Sequence, residues 1–287
     1  MAPLSISLGN FIGSSTLHGG STPTEQLLLD QYPNAAAAYS LRALSTATVD
    51  SSVVRVRRSL DNTEQDFTAT QITDGTLETF CILQDGFVTT WYDQSGDSNN
   101  STQTSASNQP KIVSNGVLID DIVFLFDGIN DNLSIGSFSA NSVATISFWV
   151  KLTDTIESGF SGNQRPYGKA GNFEARWNSD GAIVFDLFAS SSLISTKNSW
   201  LNTEWHNITV VYDQSTNQSG LYVNGILDST GTVGSDLGPS GNYLIGATYN
   251  NTGNLKGKIG NFLIYNRALD STDVLGIFND TKSDFGL

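Results

Sequence analysis

Apolar and polar residues alternate with a period of two along most of this chain. Val54 and Val56 alternate with Arg55 and Arg57, and Val88, Thr90 and Tyr92 with Thr89 and Trp91. Phe124 and Phe126, Leu133 and Ile135, and Ile146, Phe148 and Val150 repeat the pattern. It returns in Ile183, Phe185 and Leu187, in Ile208, Val210 and Tyr212, in Leu221 and Val223, and in Ile259, Phe262 and Ile264. A period of two sends alternate side chains to opposite faces of a strand. Between the runs lie turn formers: Ser95-Gly96-Asp97, Asp127-Gly128, Ser179-Asp180-Gly181, Asn224-Gly225 and Thr252-Gly253. Short alternating strands joined by such turns predict an all-β antiparallel sandwich.

The two ends depart from this pattern. Leu4, Ile6 and Leu8 alternate with Ser5 and Ser7, and the Gly/Ser/Thr-rich stretch GNFIGSSTLHGGSTPT follows. A short helix is expected from Thr24 to Tyr32, with Thr24 as its cap and Pro33 as its stop. Residues 1–34 are thus expected to form an N-terminal arm and residues 35–287 a single sandwich domain. Ala35–Leu44 carries mixed helix and strand signals. Asp270–Phe278, with Ser271 and Asp273 at its start, predicts a short C-terminal helix.

Composition narrows the function classes. The formal net charge is −14, which argues against a nucleic-acid backbone as partner. The lone cysteine, Cys81, permits no internal disulfide and is expected in the core. With only His18 and His206, a multi-histidine zinc site is not expected. The N-terminus has no basic segment and no long apolar run, so neither export by a signal peptide nor membrane insertion is expected. Among candidate sites, FDGINDNLSI places Asp127, Asn130 and Asp131 on one turn as oxygen ligands for Ca2+. The competing reading is an Asp-Gly turn with solvated carboxylates, and no cofactor is required. Trp177, Trp200, Tyr243 and Tyr249 lie in or beside Ser/Asn/Gly-rich segments and are candidates for stacking on glycans. Trp149 and Trp205 sit inside strand patterns and are expected in the core.

Two tracts carry resemblances. AAAYSLRAL, VRVRRSLDNTEQ, TFC and VTTWYDQSGDSNNSTQ occur in that order between Ala36 and Gln103, and they resemble the opening of the fungal α-L-arabinofuranosidase catalytic domain. FDGINDNLSI, ATISFWVK, WHNITVVYDQSTNQSGLYVNG, YLIGA and KIGNFLIYNRALDSTDVLGIF resemble the laminin-G-like, pentraxin-like branch of the concanavalin-A-like sandwiches. Both resemblances imply a concanavalin-A-like jelly roll, with the first implying a strand near Ala38–Leu44. In the first tract Asp93, Gln94 and the following Ser-Gly-Asp look structural, and Arg57 or Arg58 paired with Asp61 or Asp93 is expected to specify the fold.

The arabinofuranosidase resemblance implies a nucleophilic Glu in a stretch like GNFEARW, where Glu174 stands. It also implies a partner acid within residues 244–260, yet that stretch holds no Asp or Glu; Tyr249, Asn250 and Asn251 stand near the expected place. An amide cannot donate the proton that a leaving group needs, so the expectation is a non-enzyme. Taken whole, the Gly/Ser arm, the first tract and the laminin-G-like half resemble virion structural proteins of tailed phages, notably marine ones. That resemblance implies a head fibre, capsid decoration or tail-fibre component in the virion. It would dock to other virion proteins through residues 1–34, be homo-oligomeric and display a lectin-like sandwich to glycans. A glycoside hydrolase using Glu174 and a cellular lectin-like protein are the alternatives.

Overall fold

The structure is a computed structural model that describes residues 26–120, 122–138, 143–160, 163–169, 173–187, 192–233, 241–248 and 253–287. In chain order the strands are β1 (Ala35–Tyr39), β2 (Ser52–Arg58), β3 (Glu64–Thr68), β4 (Gly86–Trp91), β5 (Ser101–Thr102), β6 (Lys111–Ser114), β7 (Val117–Leu118), β8 (Phe124–Asp127), β9 (Leu133–Phe138) and β10 (Val143–Leu152). They continue as β11 (Tyr167–Lys169), β12 (Phe173–Trp177), β13 (Ile183–Leu187), β14 (Ser192–Ile194), β15 (His206–Asp213), β16 (Gln218–Val223), β17 (Ile226–Gly231), β18 (Gly241–Ile245) and β19 (Lys256–Tyr265). The α-helices are α1 (Leu28–Gln31), α2 (Ala69–Thr73), α3 (Thr76–Phe80) and α4 (Ser271–Thr281).

Pairing is antiparallel throughout these strands and builds two layers. The first runs β3-β2-β4-β5-β9-β18-β11-β12-β13-β14. The second runs β19-β10-β15-β16-β17, with β1 and β8 side by side along the free edge of β19. Strand β6 bridges β4 to β8 and ties the layers together on one side.

The alternating apolar residues meet between the layers. Trp91 of β4 packs edge-on against Phe124 of β8 at 4.7 Å, Tyr167 of β11 against Phe262 of β19 at 5.7 Å, and Phe185 of β13 against Phe148 of β10 at 6.4 Å. Aromatic pairs at such separations add packing energy beyond their area. Cys81 is buried in the same core, and burial pushes its thiol up to about 11, so it is a packing residue. The Asn224-Gly225 turn joins β16 to β17 with both residues at positive φ, as the sequence predicts.

The second layer is covered on its outer side. Helix α4 is capped by Asp270, which accepts hydrogen bonds from Thr272 and Asp273, one residue ahead of the start expected at Ser271. Its Val274 and Ile277 join Leu263 and Tyr265 in a small outer core. Trp149, as expected, is buried; it faces outward from β10 under Phe278 and Phe285 and donates to Thr281. Residues 26–34 lie on this side too: Leu28 and Leu29 belong to the outer core, and the Tyr32 hydroxyl donates to Asp280 at 2.8 Å. The packed structure thus reaches back to Leu28, inside the stretch expected as arm, whereas residues 1–25 lie outside the described residues. The helix there spans Leu28–Gln31, shorter than the expected Thr24–Tyr32. The strand implied near Ala38–Leu44 forms earlier, at Ala35–Tyr39, because β1 pairs with Phe262–Tyr265. The outer side of the first layer is the face turned away from this cover, and the Ala247–Thr248 backbone crosses it at Gly168.

The first tract is a clamp. Asp93 accepts hydrogen bonds from the backbone N–H groups of Ala38, Ser95 and Asn99 and from the Ser95 hydroxyl, at 2.7–2.9 Å. Gln94 accepts from Leu44 N–H and donates to the Ser40 and Arg42 carbonyls. Together they fasten residues 38–44 to the end of β4. Arg58 pairs with Asp61 at 2.7 Å, as expected, but Arg57 is held by the amide oxygens of Gln109 and Asn62 rather than by an acid.

Candidate functional site

Cross-strand partners in an antiparallel ladder share one face. On the outer face of the first layer the register lines up one row: Asp66, Arg55, Thr90, Thr102, Ser134, Leu244, Gly168, Glu174, Asp186 and Ser192. Charges stand at both ends of this row; between them Thr90, Thr102 and Ser134 are followed by Leu244 and Gly168, which are buried, and the Ala247–Thr248 backbone lies over Gly168, where a Cβ would stand 2.8 Å from Thr248 Cα. From Arg55 to Glu174 is six strand spacings, roughly 30 Å.

At one end Arg55 grips Asp66 through two bonds of 2.7 Å, and the Tyr92 hydroxyl donates to the same carboxylate. The Arg55 hydrogen bonds hold the Asp66 carboxyl below its usual range against the opposing effect of burial. Burial, reinforced by the hydrogen bond to Asp66, pushes the Tyr92 phenol up to about 12.

At the other end stands Glu174. Ala175 and Trp177 turn inward from β12, so Glu174 and Arg176 turn outward. The Glu174 side chain is 14% exposed and lies 3.2 Å from Arg165 Nε and 3.8 Å from Arg176 Nε. Arg176 Nε also donates to Asp186 at 2.8 Å, while the Ser192 hydroxyl donates to the other Asp186 oxygen at 2.7 Å. Arg165 arrives from a loop by bridging to Asn254, and Gly253 makes room for it: a Cβ there would stand 2.0 Å from the guanidinium. An arginine held by the 244–260 stretch thus stands beside Glu174, where the resemblance implied an acid. The carboxylate beside Glu174 along this row is Asp186, brought opposite it by the β12–β13 register.

The other expected site residues fall elsewhere. Trp177 and Trp200 are buried and meet edge to face at 6.0 Å, and the Trp200 indole donates to the Gly181 carbonyl at 2.7 Å. Tyr243 is buried against Tyr167. None of these three rings offers a face for stacking on a sugar, which corrects the expectation for them. Tyr249 lies outside the described residues.

Asp127, Asn130 and Asp131 do share a turn. Asp127 Oδ1 accepts from Ile129 and Asn130 N–H, and Asp131 Oδ2 accepts from Asp127 N–H at 2.9 Å. Asp131 is buried, and desolvation, reinforced by the neighbouring Asp127 carboxylate, raises its pKa to about 7. These residues offer two carboxylates already engaged with backbone donors, far short of the six to eight oxygens calcium takes. Among the described residues no group of three or more His, Cys, Asp or Glu could hold a metal ion. Chelation and calcium addition are expected to leave the melting temperature unchanged. A rise with calcium that chelation reverses would make this turn a ligand set.

The sequence profile of the concanavalin A-like lectin/glucanases superfamily, in its laminin-G-type form, matches residues 127–275, and the chain belongs to that superfamily. No curated protein sequence matches it. Solved structures of similar fold include an arabinofuranosidase complexed with arabinofuranosyl-α-1,2-xylobiose, at TM-score 0.66 and 14% identity over 88% of this chain. An α-L-arabinofuranosidase soaked with a cyclic sulfate inhibitor matches with TM-score 0.64 at 14% identity, again over 88% of this chain. This chain spans 63% of the length of either enzyme. Trypanosoma rangeli sialidase is similar at TM-score 0.50 and 16% identity, over 68% of this chain and 31% of the sialidase. At these identities the likeness is one of fold.

Proposed function

We propose that this protein is a non-enzymatic structural protein of a phage particle, a head fibre, capsid decoration or tail-fibre component, that presents the outer face of its first layer to glycans. Membership of a lectin/glucanase superfamily supports a carbohydrate-directed role. The tracts in residues 36–278 support the virion setting, because in that order they resemble phage virion proteins. The observation that carries the non-enzymatic reading is the engagement of Asp186, the carboxyl beside Glu174 on the ladder, by Arg176 and Ser192. A nucleophile needs a free oxygen aimed at the sugar, and a general acid needs a proton to give. Arg165 and Arg176 both approach Oε1 of Glu174, while both oxygens of Asp186 already accept hydrogen bonds, which leaves Glu174 without a free partner carboxyl beside it. The outer face suits recognition instead: Arg55 and Asp66 supply charge at one end with the Thr90, Thr102 and Ser134 hydroxyls beside them, and Glu174, Arg176 and Asp186 supply charge at the other, beyond the buried Leu244 and Gly168. Because Trp177, Trp200 and Tyr243 are buried, recognition by the described residues rests on hydrogen bonds more than on stacking.

Mass spectrometry of purified particles is expected to find the protein. A glycan array is expected to show binding that Arg55→Ala and Glu174→Gln each weaken about tenfold, the loss of one charge-assisted contact. Particles without the protein would remove the virion reading, and unaltered glycan binding in both variants would remove the assigned face.

A hydrolase is the second reading, and one observation favours it: Asp186 lies directly across the ladder from Glu174. Hydrolysis of an arabinofuranoside reporter by the wild type, lost in both Glu174→Gln and Asp186→Asn, would establish it and overturn the non-enzymatic one.

A further inference from the structure

A cleft of about 680 Å3 opens on the covered side of the second layer. Helix α1 and residues 42–44 form one wall, the end of α4 and the turn after it form the other, and Asn261 of β19 lies between them. The walls are fixed to one another. Leu29 N–H donates to the Leu44 carbonyl at 2.8 Å, the Gln94 amide donates to the Arg42 carbonyl at 2.9 Å, and the Tyr32 hydroxyl ties the α1 side to Asp280. Gly276 of α4 comes so near that it has no room for a Cβ against the Tyr32 hydroxyl. A cleft of this volume has the size of a small-molecule site, and rigid walls lower the ordering cost of binding.

The polar group at the base of the cleft is oriented. Asn261 is 4% exposed. The Ser40 hydroxyl accepts from Arg42 N–H at 2.9 Å and gives its own proton to Asn261 Oδ1 at 2.6 Å. That bond fixes the amide with Oδ1 toward Ser40 and leaves the NH2 group as a donor. Among the described residues nothing accepts a hydrogen bond from Asn261 Nδ2. A buried donor without an acceptor costs stability unless something in the cleft accepts from it. On the α4 wall, Asp280 Oδ2 takes the Tyr32 hydroxyl and Asn279 Oδ1 takes the Lys282 ammonium, each at 2.8 Å. Asp280 Oδ1 and Asn279 Nδ2 have no protein partner among the described residues, so neighbouring residues offer an acceptor and a donor.

We propose that this cleft binds a neutral sugar unit. The chemistry of its lining selects that class. Its charged residues are Arg42, Asp280 and Asp284, one cation against two acids, in a chain of net charge −14. A phosphate, sulfate or carboxylate ligand therefore meets an excess of negative charge. An ammonium ligand has no acceptor for the Asn261 amide. None of the lining residues is aromatic, and amides, hydroxyls and charged groups outnumber the aliphatic ones, which disfavours an apolar ligand. A sugar hydroxyl accepts from Asn261 Nδ2 or Asn279 Nδ2 while its neighbour donates to Asp280 Oδ1. Leu27 and Ala43, both half-buried in the opposite wall, suit the C–H groups of the ring. This site lies behind the second layer, away from the Arg55–Glu174 row, and does not depend on that row binding a glycan.

Equilibrium dialysis of the full chain against radiolabelled glucose, galactose, mannose, xylose and arabinose tests the site. At least one of these sugars is expected to be retained. Ser283→Trp introduces an indole at the cleft from an exposed position whose side chain makes no hydrogen bond among the described residues, and it should abolish retention. Asp280→Asn keeps an oxygen for the Tyr32 hydroxyl and removes the charge, so it should weaken binding about tenfold, the loss of one charge-assisted contact. It serves as the second variant should Ser283→Trp disturb its turn. Arg55→Ala should retain the sugar like the wild type, which separates this cleft from the row on the first layer. Glucuronate and galacturonate should be retained less than glucose and galactose, because their carboxylates face Asp280 and Asp284. A wild type that retains none of the five sugars overturns the proposal. So does retention that is unchanged in both Ser283→Trp and Asp280→Asn, or a preference for the uronates.

Discussion

Asp93→Ala is expected to lower the stability of the sandwich by about 3–4 kcal/mol, because removing an acceptor leaves each dependent buried donor with a desolvation cost of about 1–3 kcal/mol. Four donors lose their acceptor at once: the N–H groups of Ala38, Ser95 and Asn99 and the Ser95 hydroxyl. Ala38 is fully buried in β1, so water cannot replace the lost carboxylate there. The damage should spread, because Asp93 and Gln94 jointly hold residues 38–44, and β1 closes the edge of β19 beside β8. Urea denaturation measures the effect. Asp97→Ala, four residues away at an exposed turn position, should stay within about 0.5 kcal/mol of the wild type. Equal midpoints for the two variants would refute the clamp.

That clamp was legible in the sequence as a structural motif, and so was most of the sandwich. Val54 and Val56, Ile183, Phe185 and Leu187, and Ile208, Val210 and Tyr212 are buried where their alternation placed them. The same alternation, applied to GNFEARW, would have turned Ala175 and Trp177 inward and Glu174 and Arg176 outward together. Neighbouring Ser and Asn residues suggested exposure for Trp177 and Trp200 instead. In a sandwich, however, small polar residues line the face opposite a buried ring, so composition beside a tryptophan says little about the ring itself. The remainder of the site depends on long-range pairing. Asp186 reaches Glu174 through the β12–β13 register, and Arg165 through the bridge to Asn254. Asp66 and Arg55 were separate residues in the sequence until β2 and β3 set them opposite one another. A one-residue slip in any of these ladders would send one partner to the core, and local sequence does not fix that choice. The Asp127–Asp131 turn was legible as a turn, but the burial of Asp131 was not. It follows from the neighbouring strands, where Gly246 lies against both Phe126 and the Asp131 backbone.

Two buried groups are expected to hide each other's effect on stability between about pH 4.5 and 6.5. The pKa of Asp131 is raised to about 7 in the folded chain by desolvation and by the Asp127 charge, opposed by the hydrogen bond from Asp127 N–H and, less, by Lys111. A raised pKa contributes stability below the unfolded value near 4, and that contribution is lost as pH rises toward 7. His206 behaves in the opposite sense. It is buried beneath Trp200, ring to ring at 5.0 Å, and neither ring nitrogen has a hydrogen-bond partner. Desolvation, aided by Lys197, lowers its pKa to about 4. The folded chain then resists a proton that the unfolded chain accepts near pH 6.5, so stability is lost as pH falls toward 4. Each slope amounts to about 1.4 kcal/mol per pH unit, and the two have opposite signs. Asp61, Asp66 and Asp85, held low mainly by hydrogen bonds to Arg58, Arg55 and Lys111, lose their stabilising effect chiefly below this window. The wild type should therefore be nearly flat from pH 4.5 to 6.5. Asp131→Asn keeps an oxygen for the Asp127 N–H and removes one slope, so this variant should gain stability with rising pH, by about 2–3 kcal/mol across the window. His206→Phe preserves the ring against Trp200 and removes the other slope, so it should lose a similar amount over the same range. The double variant should be flat again, because each substitution deletes one of two independent titrations. Urea midpoints at pH 4.5, 5.5 and 6.5 decide the matter. Single variants whose profiles run parallel to the wild type would show that neither group titrates as its burial requires.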